Sequence, residues 1–174
     1  MTAPDPRLVP VQPITPAALE AAFARISGTG PGEAERSFLT QAHEDYAADE
    51  TPELEGEDLA ALLVASWQAA KAYPENSPPL VTVGPLHGAE GQPSGYDLVR
   101  IIQPDAPFLV DSVMGALAEA GVSVRALYHP VVECGSRRLS VIMLVIDSVP
   151  QERRDALGEN LAATLADVHP AVAD

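Results

Sequence analysis

The chain has 174 residues, 47% of them hydrophobic, enough for one domain with a real core or one domain plus a small subdomain. Its 10 basic and 25 acidic residues give a net charge of −15, which makes phosphate backbones and anionic membrane poor partners. No apolar run approaches the roughly 18 residues that cross a bilayer, and Cys134, the sole cysteine, excludes an intrachain disulfide framework or a Cys-rich metal site.

Met1–Thr15 reads as a tail. It lacks a basic n-region and an apolar h-region, so no signal peptide is expected and the cytoplasm is the default. Thr15-Pro16 has the form of a helix N-cap followed by proline in the first turn. Leu19, Ala22, Phe23 and Ile26 then share one helical face, which Gly28-Thr29-Gly30-Pro31-Gly32 ends. A second helix is expected over 33–47, with Phe38, Leu39, Ala42 and Tyr46 inward. Asp49–Gly56 is an acidic loop. A third helix is expected over 57–73, burying Leu59, Leu62, Leu63, Ser66, Trp67 and Ala70. Pro74 and Pro78-Pro79 end it. Residues 15–78 thus form an expected helical subdomain behind a tail of 1–14.

From Leu80 the period changes from helical to extended. Leu80-Val81-Thr82-Val83 is a short β-type run, Gly84–Gly95 a glycine-rich loop, and Tyr96–Gln103 a mostly apolar strand. Asp105 or Ala106 should cap the next helix, with Pro107 in its first turn and Leu109, Val110, Val113, Met114 and Leu117 inward. Gly121 suits the position just past its end. Val122–His129 alternates as a strand, Gly135-Ser136-Arg137 turns, and Leu139–Ile146 is a dense apolar strand. Ser148, Pro150 and Gln151 open a last helix striped with Leu157, Leu161, Leu165 and Val168. The order from Tyr96 is β-α-β-β-α, a ferredoxin-like unit over 79–174 without its last strand. That strand would lie beside Tyr96–Gln103, so either Leu80–Val83 or a second chain is expected to fill the vacant edge.

The most specific stretch is Pro104-Asp105-Ala106-Pro107-Phe108-Leu109-Val110-Asp111-Ser112-Val113, followed by a helix and Tyr128-His129-Pro130. Over Gly95–Glu133 the chain resembles the N-terminal, ACT-like regulatory region of the large NAD-specific glutamate dehydrogenases of bacteria. The resemblance implies an α+β chain, a helical subdomain followed by an ACT-type unit with an antiparallel sheet. It implies a non-catalytic regulatory or assembly role within an enzyme that oxidises L-glutamate with NAD to 2-oxoglutarate and ammonium. The rest of that enzyme, further copies of the chain and an amino-acid effector are the implied partners. NAD would belong to the parent enzyme and no cofactor to this chain.

ACT domains often hold small ligands at the first strand–helix turn, which here makes Gln103, Asp105, Ala106, Phe108, Asp111 and Ser112 the candidate effector residues. Amino-acid-binding relatives usually have glycine after the turn's proline. This chain has Phe108, whose ring could fill the ligand space and leave a docking module instead. The α-carboxylate of an amino acid would suit the helix N-terminal amides and its ammonium would suit Asp105. Tyr128 and His129 are interface candidates. No catalytic group is expected. Gly28–Gly32 lacks the third glycine of a dinucleotide loop and follows a helix, and the one lysine, Lys71, reads as a solvated helix-end charge. The four histidines have no zinc spacing, and Cys134 has no neighbouring base. Arg137-Arg138 reads as a solvated hairpin tip. Leu139–Met143 carries no aromatic side chains for stacking RNA.

Overall fold

The computed structural model describes residues 15–44, 56–134 and 136–172. The expected tail over 1–14, most of the acidic loop (49–55), Tyr46 and Gly135 lie outside them, as do the side chains of His43, Cys134, Val168 and His169. The elements run α1 (Pro16–Ser27), α2 (Glu33–Glu44), α3 (Gly56–Ala72), β1 (Leu80–His87), β2 (Pro93–Pro104), α4 (Leu109–Glu119), β3 (Val124–Tyr128), β4 (Val131–Cys134), β5 (Arg137–Asp147) and α5 (Gln151–Val172).

Local chemistry sets several of these limits. The Ala18 amide donates to Thr15 Oγ1 at 3.2 Å, so Thr15 caps α1 as its hydroxyl predicts. Gly28, at φ 84°, closes α1 with its amide on the Ala24 carbonyl. The α1 stripe is shorter than expected, because Ile26 stays 41% exposed.

All strand pairs are antiparallel, in the order β1-β2-β5-β3, with β4 pairing β5 beyond β3. The vacant edge is filled from within the chain. β1 lies against β2 from Leu80↔Ile102 to Pro85↔Asp97, a longer strand than the four residues expected. The strand that a ferredoxin-like unit places last therefore comes first, giving β-β-α-β-β-α. The expected strand over 122–129 is the shorter β3, and an additional short strand that the sequence did not predict, β4, follows it end to end along β5. Pro130, which has no N–H to offer a ladder, sits at the break, while its carbonyl accepts from Val141 N at 3.0 Å.

Both faces of the sheet are covered. On one, Phe38, Leu59, Leu63 and Trp67 of the N-terminal helices pack against Ile102, Tyr128, Val141, Met143 and Val145. On the other, α4 and α5 cover Val99, Ile101, Ile142, Leu144 and Ile146 with Val113, Leu117, Leu161 and Leu165. Burial on both sides explains why β5 is one apolar run and why Leu127 breaks the polar alternation of its strand.

Three polar contacts tie the layers together. Asp97, 1% exposed, receives Arg154 Nε and Nη2 at 3.0 Å each and the Val149 amide at 3.0 Å, fixing the start of α5 to β2. Arg100 Nε donates to the buried Ser66 Oγ of α3 at 2.9 Å, and desolvation lowers the guanidinium pKa. The Gln41 amide of α2 grips the edge of β4 by accepting from Val131 N at 2.9 Å and donating to Val131 O at 3.0 Å, much as a neighbouring strand would.

Candidate functional site

β2 ends at Pro104 and α4 begins at Leu109, so Asp105–Phe108 form the turn between them. Neither Asp105 nor Ala106 caps the helix, contrary to the sequence expectation. The N-cap is Phe108, in the left-handed region at φ 67°, and among the described residues no side chain caps the α4 amides. Asp105 is drawn back toward β5 instead. Its amide donates to Arg138 O at 2.8 Å, its Oδ1 accepts from Ser140 Oγ at 2.7 Å, and its Oδ2 lies 3.2 Å from Arg138 Nε. Arg138 is therefore no free hairpin tip. Arg137 is anchored too, with Nη1 on the Tyr73 carbonyl at 2.7 Å.

Ser140 also lies 3.1 Å from His129 Nε2. Since its proton goes to Asp105, the pattern assigns a proton to Nε2 of the imidazole. In a hydrolytic triad the imidazole stands between carboxylate and hydroxyl. Here the hydroxyl stands between carboxylate and imidazole and is fully buried, so the arrangement positions Asp105 and His129 and does not make Ser140 a nucleophile.

An open depression of about 550 Å³ lies over this turn, lined by Asp105 to Asp111 and His129. Of the six effector candidates, Asp105, Ala106, Phe108 and Asp111 line it. Ser112 does not; its amide closes the first helical turn on Phe108 O at 3.0 Å. Gln103 is completely buried opposite Ser140, with Nε2 3.4 Å from Pro104 O and no hydrogen-bond partner for Oε1 among the described residues. The Phe108 ring does not plug the depression. It is 73% exposed. Tyr128, expected at an interface, is instead fully buried in the core, because β3 is covered on that face by the N-terminal helices.

Chemically, the site offers uncapped helix N-terminal amides to an anion and two carboxylates, Asp105 and Asp111, to a cation. It thus matches a zwitterion better than either single charge. Among the described residues no three His, Cys, Asp or Glu groups converge to hold a metal, and no helix is long and apolar enough to cross a membrane. Sequence reasoning missed Ser140 and the pairing of Arg138. Ser140 was detectable as the one hydroxyl inside an apolar strand, a pattern that needs a buried partner.

Residues 38–167 match the family model of the glutamate dehydrogenase ACT1 domain. An NAD-specific glutamate dehydrogenase of Pseudomonas aeruginosa is 28% identical over 90 residues, which are 52% of this chain and 6% of that protein. Another, of Halomonas elongata, is 27% identical over 124 residues, 68% of this chain and 8% of that protein. The chain spans under a tenth of the length of these curated relatives. No solved structure gives a significant match.

Proposed function

The chain belongs to the glutamate dehydrogenase ACT1 domain family, and from that premise we propose that it is a non-catalytic regulatory and assembly module of a large NAD-dependent glutamate dehydrogenase. The parent enzyme would convert L-glutamate, NAD and water to 2-oxoglutarate, ammonium and NADH, with NAD bound elsewhere in the polypeptide. The names of the two relatives support this reading. The same proposal takes the parent to be cytoplasmic and homo-oligomeric.

The finer reading is that the module senses an amino acid at the β2–α4 turn. The observation that carries it is the uncapped α4 N-terminus facing the same open depression as Asp105 and Asp111. The α-carboxylate would take the helix amides, and the ammonium would take Asp111, with the Asp105 carboxylate beside it. Ser140 and Arg138 hold Asp105 in place for that contact. A second reading, a ligand-free docking module, is favoured by the exposed Phe108 ring, since aromatic side chains are common anchors at protein interfaces.

Thermal melting of the 174-residue chain with each of the twenty amino acids, 2-oxoglutarate and NAD separates the two. A ligand at 100 times its dissociation constant stabilises by about 2.7 kcal/mol. The sensor reading expects a selective rise with one or two amino acids that Asp111→Asn abolishes. No rise with any amino acid would leave the docking reading. A rise with NAD alone would overturn both.

A further inference from the structure

A second cleft lies away from the turn, between the C-terminal end of α4 and the first turns of α5. It has a volume of about 330 Å³ and is lined by Ala120, Val122, Val149, Ala156 and Leu157, with Arg153 and Asn160. The size is at the lower end for small-molecule sites, and the lining is of the usual kind, mostly apolar with a few polar groups.

Arg153 is the cation of the cleft. Arg25, Arg36, Arg125, Arg138 and Arg154 each lie beside a carboxylate, while Arg100 and Arg137 bond the Ser66 hydroxyl and the Tyr73 carbonyl. Arg153 has no carboxylate beside it among the described residues. It donates Nη2 to the Ala120 carbonyl at 2.9 Å, at the end of α4, and its remaining guanidinium N–H groups have no partner among the described residues. That single bond fixes the guanidinium beside the cleft. Among the described residues no acidic one lines the cleft, although the chain carries 25 of them. A cation without its anion, at the side of an apolar cleft, is complementary to a carboxylate with a short aliphatic tail.

We propose that this cleft binds a small aliphatic carboxylate that lacks an amino group, such as a short branched 2-oxo acid. The carboxylate pairs with Arg153, the Asn160 amide can donate to a 2-oxo oxygen, and the hydrocarbon covers Val122, Val149 and Leu157. An α-ammonium would meet no carboxylate there, so the cleft discriminates against the corresponding amino acid. The site is separate from the β2–α4 turn and stands whether or not that turn binds an effector.

The test is a methyl NMR titration of the 174-residue chain with 4-methyl-2-oxopentanoate, with L-leucine and 4-methylpentan-1-ol in parallel. Saturable shifts are expected at Val122, Val149 and Leu157, with L-leucine and the alcohol weaker by about tenfold or more. Arg153→Gln should weaken the oxo acid by a similar factor. Ala156→Leu, at an exposed helical position, fills the cleft without removing any bond and should abolish the shifts. No saturable shift at about 10 mM ligand would overturn the proposal. So would equal affinity for L-leucine, or unchanged binding by Ala156→Leu.

Discussion

Phe108 concentrates the local tension of the molecule. A bulky L residue at φ 67° costs on the order of 1–2 kcal/mol, and here the residue is 73% exposed, so little burial offsets the strain. Of the two non-glycine residues at positive φ among the described residues, Asn76 is of a type that tolerates this region and Phe108 is not. Glycine at 108 should therefore raise stability by up to about 1 kcal/mol in urea unfolding, while removing the ring from the site. A loss of stability in Phe108→Gly would mean that the ring packs in the folded chain, against its observed exposure. The sequence marked this residue through its departure from the glycine of amino-acid-binding relatives. Its direction could not be read that way, because whether a side chain fills or leaves a site depends on a backbone angle that composition does not encode. Asp105 was misread for a related reason. Its capping chemistry is real, but the Ser140 hydroxyl and Arg138 compete for the same carboxylate, and both arrive from a strand more than thirty residues away.

Among the elements, helix periodicity and strand alternation were legible wherever one face is buried, as in α1 with Leu19, Ala22 and Phe23. They were least informative where both faces are covered, as in β5, and where proline interrupts a ladder, as between β3 and β4. The topology was half legible: a vacant slot beside β2 followed from the missing last strand, and β1 or a second chain could fill it. The docking of α5 depends on a contact that no local pattern announced, the Asp97–Arg154 pair. Asp97 is 1% and Arg154 16% exposed, and the Val149 amide completes the carboxylate's bonding. Removing one partner of such a pair leaves a desolvated charge, so Asp97→Ala should lose about 3–5 kcal/mol in chemical denaturation. The double variant Asp97→Ala/Arg154→Met should recover part of that loss, because it removes the orphaned guanidinium as well. A single variant within about 0.5 kcal/mol of the parent would mean the clamp is not what holds α5 to the sheet.

For the whole molecule, the question is how far the N-terminal helices form a unit of their own. Periodicity alone suggests a helical subdomain over 15–78 followed by a ferredoxin-like unit over 79–174. The core argues that the two depend on each other. Phe38, Leu59, Leu63 and Trp67 share one buried cluster with Ile102, Tyr128, Val141, Met143 and Val145, and the Phe38 and Trp67 rings meet at 5.3 Å, tilted by 57°. The polar ties Gln41–Val131, Arg100–Ser66 and Arg137–Tyr73 cross the same boundary. A chain of 79–174 alone would expose one whole face of a sheet that is apolar on both sides, a contiguous patch of the kind that drives aggregation. We therefore expect that truncated chain to be insoluble, or to bind a hydrophobic dye strongly, and the 174-residue chain to unfold in one transition by both fluorescence of the sole tryptophan and far-ultraviolet dichroism. Trp67 reports the helical layer and the dichroism reports the sheet as well, so separated midpoints would mean two independent units. In that case the helices would be free to leave the sheet, and the turn at Asp105 and the cleft at Arg153 would sit on a module that stands without them. Coincident midpoints would make the helical layer part of the same folding unit. A ligand at either end of α4, about 16 Å long at 1.5 Å per residue for its 11 residues, would then stabilise all three layers together.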